Sequence, residues 1–528
     1  MTDPQFDFIV IGSGFGGSVS ALRLAEKGYR VAVLEQGKRV DPETMARAAT
    51  DPRALFWKPG QGLHGFFSQD YFRHLAVVRG IGVGGGSLVY AGVLLRPGQA
   101  FFQSPEWRHL TDWESELAPH YEVASAMLGV TPNPRHGKMD EQLRMTAEAL
   151  GCADSFGTVP QGIFFSETEG PVADPFFGGK GPARRPCNFC GHCVSGCAVG
   201  AKNSLDKNYL HLAEQLGVKL FPEVRAERIE PTPDGYRIVA RSTSASVRKL
   251  RFRARKIVLA GGVLGTLELL FRCRDQYRTL PAISACLGQR VRTNSEALVA
   301  SVSRNRQEDL SEGTTISSDF YFGTDTHITQ NRLPPSHSLM RFLFGPMVDE
   351  SRPFLRALKT LAQYLLDPVR ATGSWRTDWY RRTTLLTVMQ SLDNALDIRF
   401  ERRWYSPWKK ALQSHARSGQ RAPTYIPKAN QAARAFAEVS GGEPQSILVE
   451  SVGNKSLTAH ILGGACLGDY PENSVVDTHH RLHGYPDIYV ADASAIPANI
   501  GVNPSLTITA MAERMASLIP AAEPAGTE

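Results

Sequence analysis

Phe6-Asp7-Phe8-Ile9-Val10-Ile11 runs straight into Gly12-Ser13-Gly14-Phe15-Gly16-Gly17, and the fold turns on how these residues are read. The apolar run is too short for a helix and reads as a buried parallel strand, while Ser18 to Lys27 repeats apolar residues at helical spacing. Each glycine has its own job. Gly12 allows a tight turn, Gly14 lets a pyrophosphate approach the backbone, and Gly17 lets the helix pack closely on the strand. The helix N-terminus then offers unpaired N–H groups and a positive dipole end to phosphates. After Gly28, Arg30 to Leu34 reads as a second strand ending in Glu35. An acid about twenty residues past the glycines suits a ribose 2′-hydroxyl and repels a 2′-phosphate. The opening stretch therefore predicts a dinucleotide-binding unit.

Working outward, 528 residues exceed what one core normally supports, so two or three domains or subdomains are expected. The composition, 42% hydrophobic and 21% charged, is that of an ordinary soluble protein. The first strand begins at Phe6 without the order of a signal peptide, and no apolar run reaches ~18 residues, which predicts a cytoplasmic or at most peripheral protein. The net charge of +7 is local: residues 351–430 hold 15 Lys and Arg against 5 Asp and Glu, a net of +10 that leaves −3 for the rest. Trp375, Trp379, Trp404 and Trp408 fall there or beside it. This pattern predicts a cationic solvated face over an aromatic-lined cavity, with peripheral membrane contact as the alternative and no nucleic-acid partner.

Further along, Arg79 to Gly92 carries five glycines within residues 80–86 followed by Ser87-Leu88-Val89-Tyr90, which predicts a backbone brought close to something flat or crowded. Residues 105–150 read as helical, with Asp112 in the cap. Short strands are expected at 218–221, 225–229, 235–240 and 250–252. Lys256 to Ala260 then enters Gly261-Gly262 and a helix, a second strand–glycine–helix unit. Near the end, Ile488 to Ala491 reads as a strand with Asp492 at its carboxyl end, where ligands bind in open α/β sheets. Asn503-Pro504-Ser505 starts a last helix, whose N-terminus favours an anionic or electron-rich ligand edge.

These stretches together resemble the glucose-methanol-choline (GMC) oxidoreductases, within them the branch that contains bacterial cholesterol oxidases. The resemblance rests on the opening GSGFGG with Glu35, on GVGGGSLVYAGV from Gly82, on LAGGVLGT, and on the closing HILGG, VADAS and GVNPSLTITAMAER. It implies an α/β fold in which a Rossmann-type FAD-binding domain (1–100, 200–295 and 450–520) interleaves with an antiparallel-sheet substrate-binding region (101–199 and 296–449), ending in a disordered tail, 521–528. It implies FAD held by Gly12, Gly14 and Gly17, with Glu35 on the adenine ribose and Val224 against the adenine. Gly84, Gly85, Gly86 and Ser87 would lie near the isoalloxazine, Gly261 in the second glycine turn, and Asp492 near the ribityl phosphate. His460 and Asn503 would face the flavin on the substrate side. There an imidazole can take a carbinol proton, typically ~100- to 10,000-fold in rate, while Asn503 donates to the developing alkoxide. Glu296 is the candidate for the acid that such oxidases use in double-bond isomerisation, a surface acid being its alternative.

Cys187-x2-Cys190-x2-Cys193-x3-Cys197 has the spacing of bacterial ferredoxins, with Ala198 where proline usually follows. It leaves open an iron–sulfur cluster, zinc, or free thiols in a family loop. The expected activity is oxidation of a sterol or other bulky lipophilic alcohol, with oxygen or an electron carrier as acceptor. Alternatives are an iron–sulfur dehydrogenase for a sugar or small alcohol, and a non-catalytic flavoprotein redox sensor.

Overall fold

The computed structural model describes residues 5–244, 248–372, 375, 378–403 and 406–523, so Trp404 and the end of the expected tail lie outside the described residues. Among them, eight strands form the first sheet: β1 (Gln5–Ile11), β2 (Val31–Leu34), β3 (Lys219–Phe221), β4 (Val224–Thr232), β5 (Gly235–Ser242), β6 (Lys249–Leu259), β7 (Arg481–Leu482) and β8 (Tyr485–Val490). Its parallel part runs β3-β2-β1-β6-β8. The strand centres are Val, Ile and Leu because both faces are covered. Helix α1 (Phe15–Glu26) follows β1, α2 (Gly262–Phe271) follows β6, and α3 (Ser505–Ser517) closes the chain.

The two short strands expected at 250–252 and from Lys256 are one strand, β6. Its first half pairs antiparallel with β5 and its second half runs parallel to β1 and β8. Arg251, Arg253 and Arg255 alternate with buried Phe252 and Ala254, so the charges that look like a break form the exposed face of a continuous strand. The helical stretch expected over 105–150 is likewise interrupted: Trp113–Met127, capped by the Asp112 carboxylate, gives way at Gly129 to a short strand before Lys138–Ala149.

The second sheet is antiparallel. Its order is Phe344–Pro346, Gly442–Ile447, Ala297–Ser303, Thr383–Gln390, Thr326–Asn331, Ser318–Tyr321, Gly157–Thr158. Helix Pro427–Ser440 packs Ala433 and Phe436 into the same cluster as Val299, Phe320 and Val388 on that sheet. A long ribbon, Leu396–Arg403 with Ser406–Ala416, instead sends Leu396, Ile398, Phe400 and Leu412 into the core of the first sheet, where Trp107 and Trp113 also lie.

The turn after β1 admits only glycine at its first position. Gly12 has φ +102°, and a Cβ there would sit 2.2 Å from the carbonyl oxygen of Ala260, the residue after β6. Gly12→Ala should therefore lower stability by about 2–3 kcal/mol, read as a drop in the chemical-denaturation midpoint, whereas Gly14→Ala, which meets no atom within 4 Å, should leave it nearly unchanged.

Candidate active site

A cavity of about 960 Å³ collects residues from the carboxyl ends of the first sheet and from one face of the second. It is lined by Gly12, Gly14, Glu35, Val224, Gly261 and Asp492, by Gly85 and Gly86, and by Glu296, His460 and Asn503. Three of the glycine-motif residues stand behind the wall. Gly17 packs against Gly12 and Ala260, Gly84 supplies a left-handed turn, and the buried Ser87 hydroxyl donates to Gly84 O (2.7 Å) while accepting from the Leu205 N–H (3.0 Å).

Two glycine turns from distant parts of the chain touch: a Cβ on Gly85 would come within 2.7 Å of Gly14 Cα. Ser13, which sequence reasoning passed over, ties them together. Its hydroxyl donates to Glu35 Oε2 (2.8 Å) and accepts from Gly84 N–H (3.1 Å). Glu35 Oε1 accepts from Gly37 N–H (2.8 Å), so the acid at the end of β2 is held by fixed donors at the cavity wall. Burial raises the pKa of Glu35 and of Asp492 against those hydrogen bonds. Asp492 accepts from Thr266 (2.5 Å) in the second turn of α2 and from the Ser494 N–H (2.9 Å).

In the same cavity, the Glu296 carboxylate lies against Nδ1 of His460 and accepts from the Ala459 N–H (2.9 Å). On the opposite edge of the ring, Nε2 is 3.5 Å from Asn503 Nδ2. A carboxylate on Nδ1 fixes the proton there and leaves the Nε2 lone pair toward the cavity. Asn294 links the supporting segments: its amide accepts from Gly501 N–H (2.7 Å) and donates to Val502 O (3.0 Å), beside Asn503 and two residues from Glu296. Glu450 is buried nearby, and burial, with the Glu296 charge adding to it, pushes its carboxyl well above the usual range. Glu296 is thus not a surface acid, and its contact with His460 could not be read from spacing.

The GMC oxidoreductase family matches residues 183–273 and 381–512, and an FAD binding domain matches residues 7–49. A cholesterol oxidase of Mycobacterium tuberculosis is 42% identical over 98% of this chain and 91% of its own. The chain belongs to the GMC oxidoreductase family. A cholesterol oxidase of Acinetobacter baumannii is 38% identical, covering 98% and 95% of the two chains. A formate oxidase crystal structure, 13% identical and covering 98% of each chain, superposes with TM-score 0.64, a likeness of fold. As a family member the chain is an FAD-dependent alcohol oxidoreductase. The residues fit that cofactor: the open Cα face of Gly14, the two touching glycine turns and the held carboxylates lie in one groove, and Asn503 Oδ1 is buried without a hydrogen-bond partner among the described residues.

The four cysteines lie elsewhere. Cys187, Cys190, Cys193 and Cys197 line a separate cavity of about 300 Å³, all as free thiols. Among the described residues no three or more His, Cys, Asp or Glu side chains are grouped so as to hold a metal ion, so of the readings left open the iron–sulfur and zinc ligand sets find no support in this arrangement. What holds the loop is cationic. Lys202, pushed down to about 8 by burial, donates to the carbonyls of Leu88 (2.9 Å), Tyr90 (2.9 Å) and Cys193 (2.6 Å). Arg184 spans Gly200 O (2.8 Å) and Asn203 Oδ1 (2.6 Å). The tryptophans also differ from expectation. Trp379 is buried against Phe344, Trp375 and Trp408 are exposed, and none of them lines the main cavity. No helix among the described residues is long and apolar enough to cross a membrane.

Proposed function

We propose that this chain oxidises a sterol or another bulky lipophilic alcohol to its carbonyl compound, with His460 as base and oxygen as acceptor. The observation that carries the reading is the meeting of His460, Glu296 and Asn503 in the same cavity that the dinucleotide motif lines. His460 Nε2 takes the hydroxyl proton, and the Glu296 carboxylate steadies the imidazolium that results. Asn503 Nδ2, close to Nε2, donates to the same substrate oxygen as negative charge grows on it. FAD, when bound, supplies the acceptor for the hydride leaving the carbinol carbon. Val93, Val194, Leu298 and Ile316 in the wall favour an apolar substrate and keep water from the reacting atoms.

The binding roles are part of the same proposal: pyrophosphate at Gly12 and Gly14, adenine ribose at Glu35, adenine beside the Val224 backbone, flavin against Gly85 and Gly86 with Gly84 and Ser87 shaping that turn, and the ribityl phosphate near Gly261 and Asp492. Glu296 is assigned to the imidazole, not to double-bond isomerisation. A cytoplasmic protein touching a membrane through the basic segment 351–430, and a division into an FAD domain and a substrate region near the bounds given above, complete the reading. Sterol as substrate and oxygen as acceptor are supported by two relatives named as cholesterol oxidases at 42% and 38% identity. In air, the purified protein should turn a 3-hydroxysterol into the ketone with hydrogen peroxide released one for one. A sterol returned unchanged, with a sugar oxidised instead, would overturn the proposal.

A further inference from the structure

Helix Pro353–Leu366 is turned inside out. Its buried residues are Arg356 and Thr360, while Phe354 (78% exposed), Leu358, Leu361 and Leu365 (85%) form one outward stripe at helical spacing, continued by Leu366 and by Val369 in the next short helix. The polar face is a built anchor. The Arg356 guanidinium donates to Glu350 O (3.1 Å), Thr424 Oγ1 (3.0 Å) and Glu450 O (3.3 Å), so the helix is seated by hydrogen bonds and not by its leucines. Trp375 widens the stripe, packing on Phe342 (5.7 Å) and Tyr364 (6.3 Å), with Leu339 exposed in the same 335–343 stretch. That stretch also touches the cavity wall, where His337 packs on Phe67 (5.7 Å). Single exposed leucines are ordinary; a contiguous set of this size marks an interaction surface.

We propose that this face lies in the surface of an anionic lipid bilayer, the helix in the plane of the membrane with Phe354, Leu358, Leu361, Leu365 and Leu366 among the acyl chains. Fourteen residues are too few to span a bilayer and enough to lie along one. Charge selects the occupant. The segment from 351 to 430 carries a net +10, which attracts acidic headgroups and opposes stacking of the same face on a second copy of the chain. The inference deepens the membrane contact proposed above and stands apart from the choice of substrate.

The test is flotation of the FAD-loaded full chain with sterol-free vesicles of phosphatidylcholine alone or with phosphatidylglycerol, so that binding reports no substrate. Wild type should float with the anionic vesicles, less so in high salt. The L358S/L361S/L365S/L366S variant should lose this by about tenfold or more while keeping its thermal midpoint and its turnover of a detergent-solubilised alcohol. Failure of wild type to float, or equal flotation of wild type and variant, would overturn the proposal. So would a wild-type dimer in sedimentation equilibrium that the same substitutions dissociate. A failed substrate reading would show only in the turnover assay.

Discussion

His460→Gln should leave FAD bound and lower kcat/KM for an alcohol by roughly 100- to 10,000-fold. The imidazole is held by Glu296 and Asn503, while Glu35 and Asp492 are held by Ser13, Gly37, Thr266 and Ser494, so its loss leaves the dinucleotide groove intact. Glutamine fills similar space and can still contact the substrate oxygen, yet it cannot carry a proton at neutral pH. The loss should fall mainly on kcat, because a proton acceptor is needed only as the O–H bond breaks. Steady-state rates beside the flavin absorbance of the purified variant check this. An unchanged rate with full flavin would remove His460 from the chemistry.

Glu296→Gln should cost on the order of 100-fold in kcat with little change in flavin content. As a carboxylate, Glu296 only accepts, so the imidazole must present N–H at Nδ1 and a lone pair at Nε2. An amide of nearly the same shape can turn its NH2 toward Nδ1 and so favour the tautomer with the proton on Nε2, where it blocks the base. It also removes the negative charge that stabilises the imidazolium. A role in packing alone predicts a different result, since Gln conserves the volume and can still accept from the Ala459 N–H. Glu296→Asp should recover part of the rate, because charge is restored at a longer reach. Rates for the three proteins at several pH values make the comparison.

The opening unit was legible because everything that defines it is local. Strand, glycines, helix and the acid at Glu35 lie within a few turns of chain, and each glycine meets the steric demand expected of it at Gly12 and Gly17. The fold class followed from the family resemblance, of which that unit and its repeat at Lys256 to Thr266 are part. Two features were hidden for physical reasons. β6 was split because arginines alternating with apolar residues look like loop until the strands on either side are known. Glu296 could be named but not placed: its meeting with His460 follows from the Arg292–Leu462 backbone bridge that joins two distant segments, a tertiary contact that leaves no periodic trace. The cysteine spacing left its three alternatives open. Spacing along a chain does not fix where sulfur atoms point, and here Lys202 and Arg184 hold the loop by its carbonyls. The helix at 353–366 shows the same limit. Its apolar stripe is present in the sequence, but only the burial of Arg356 shows that the stripe faces outward.

The central claim is that His460 and FAD together oxidise a lipophilic alcohol in the main cavity. Its most direct test is anaerobic mixing of the FAD-loaded protein with a 3-hydroxysterol while following the flavin band near ~450 nm. The account predicts bleaching to completion with one equivalent of ketone formed, and very slow bleaching in His460→Gln. A band that sterols and long-chain alcohols leave untouched would contradict it.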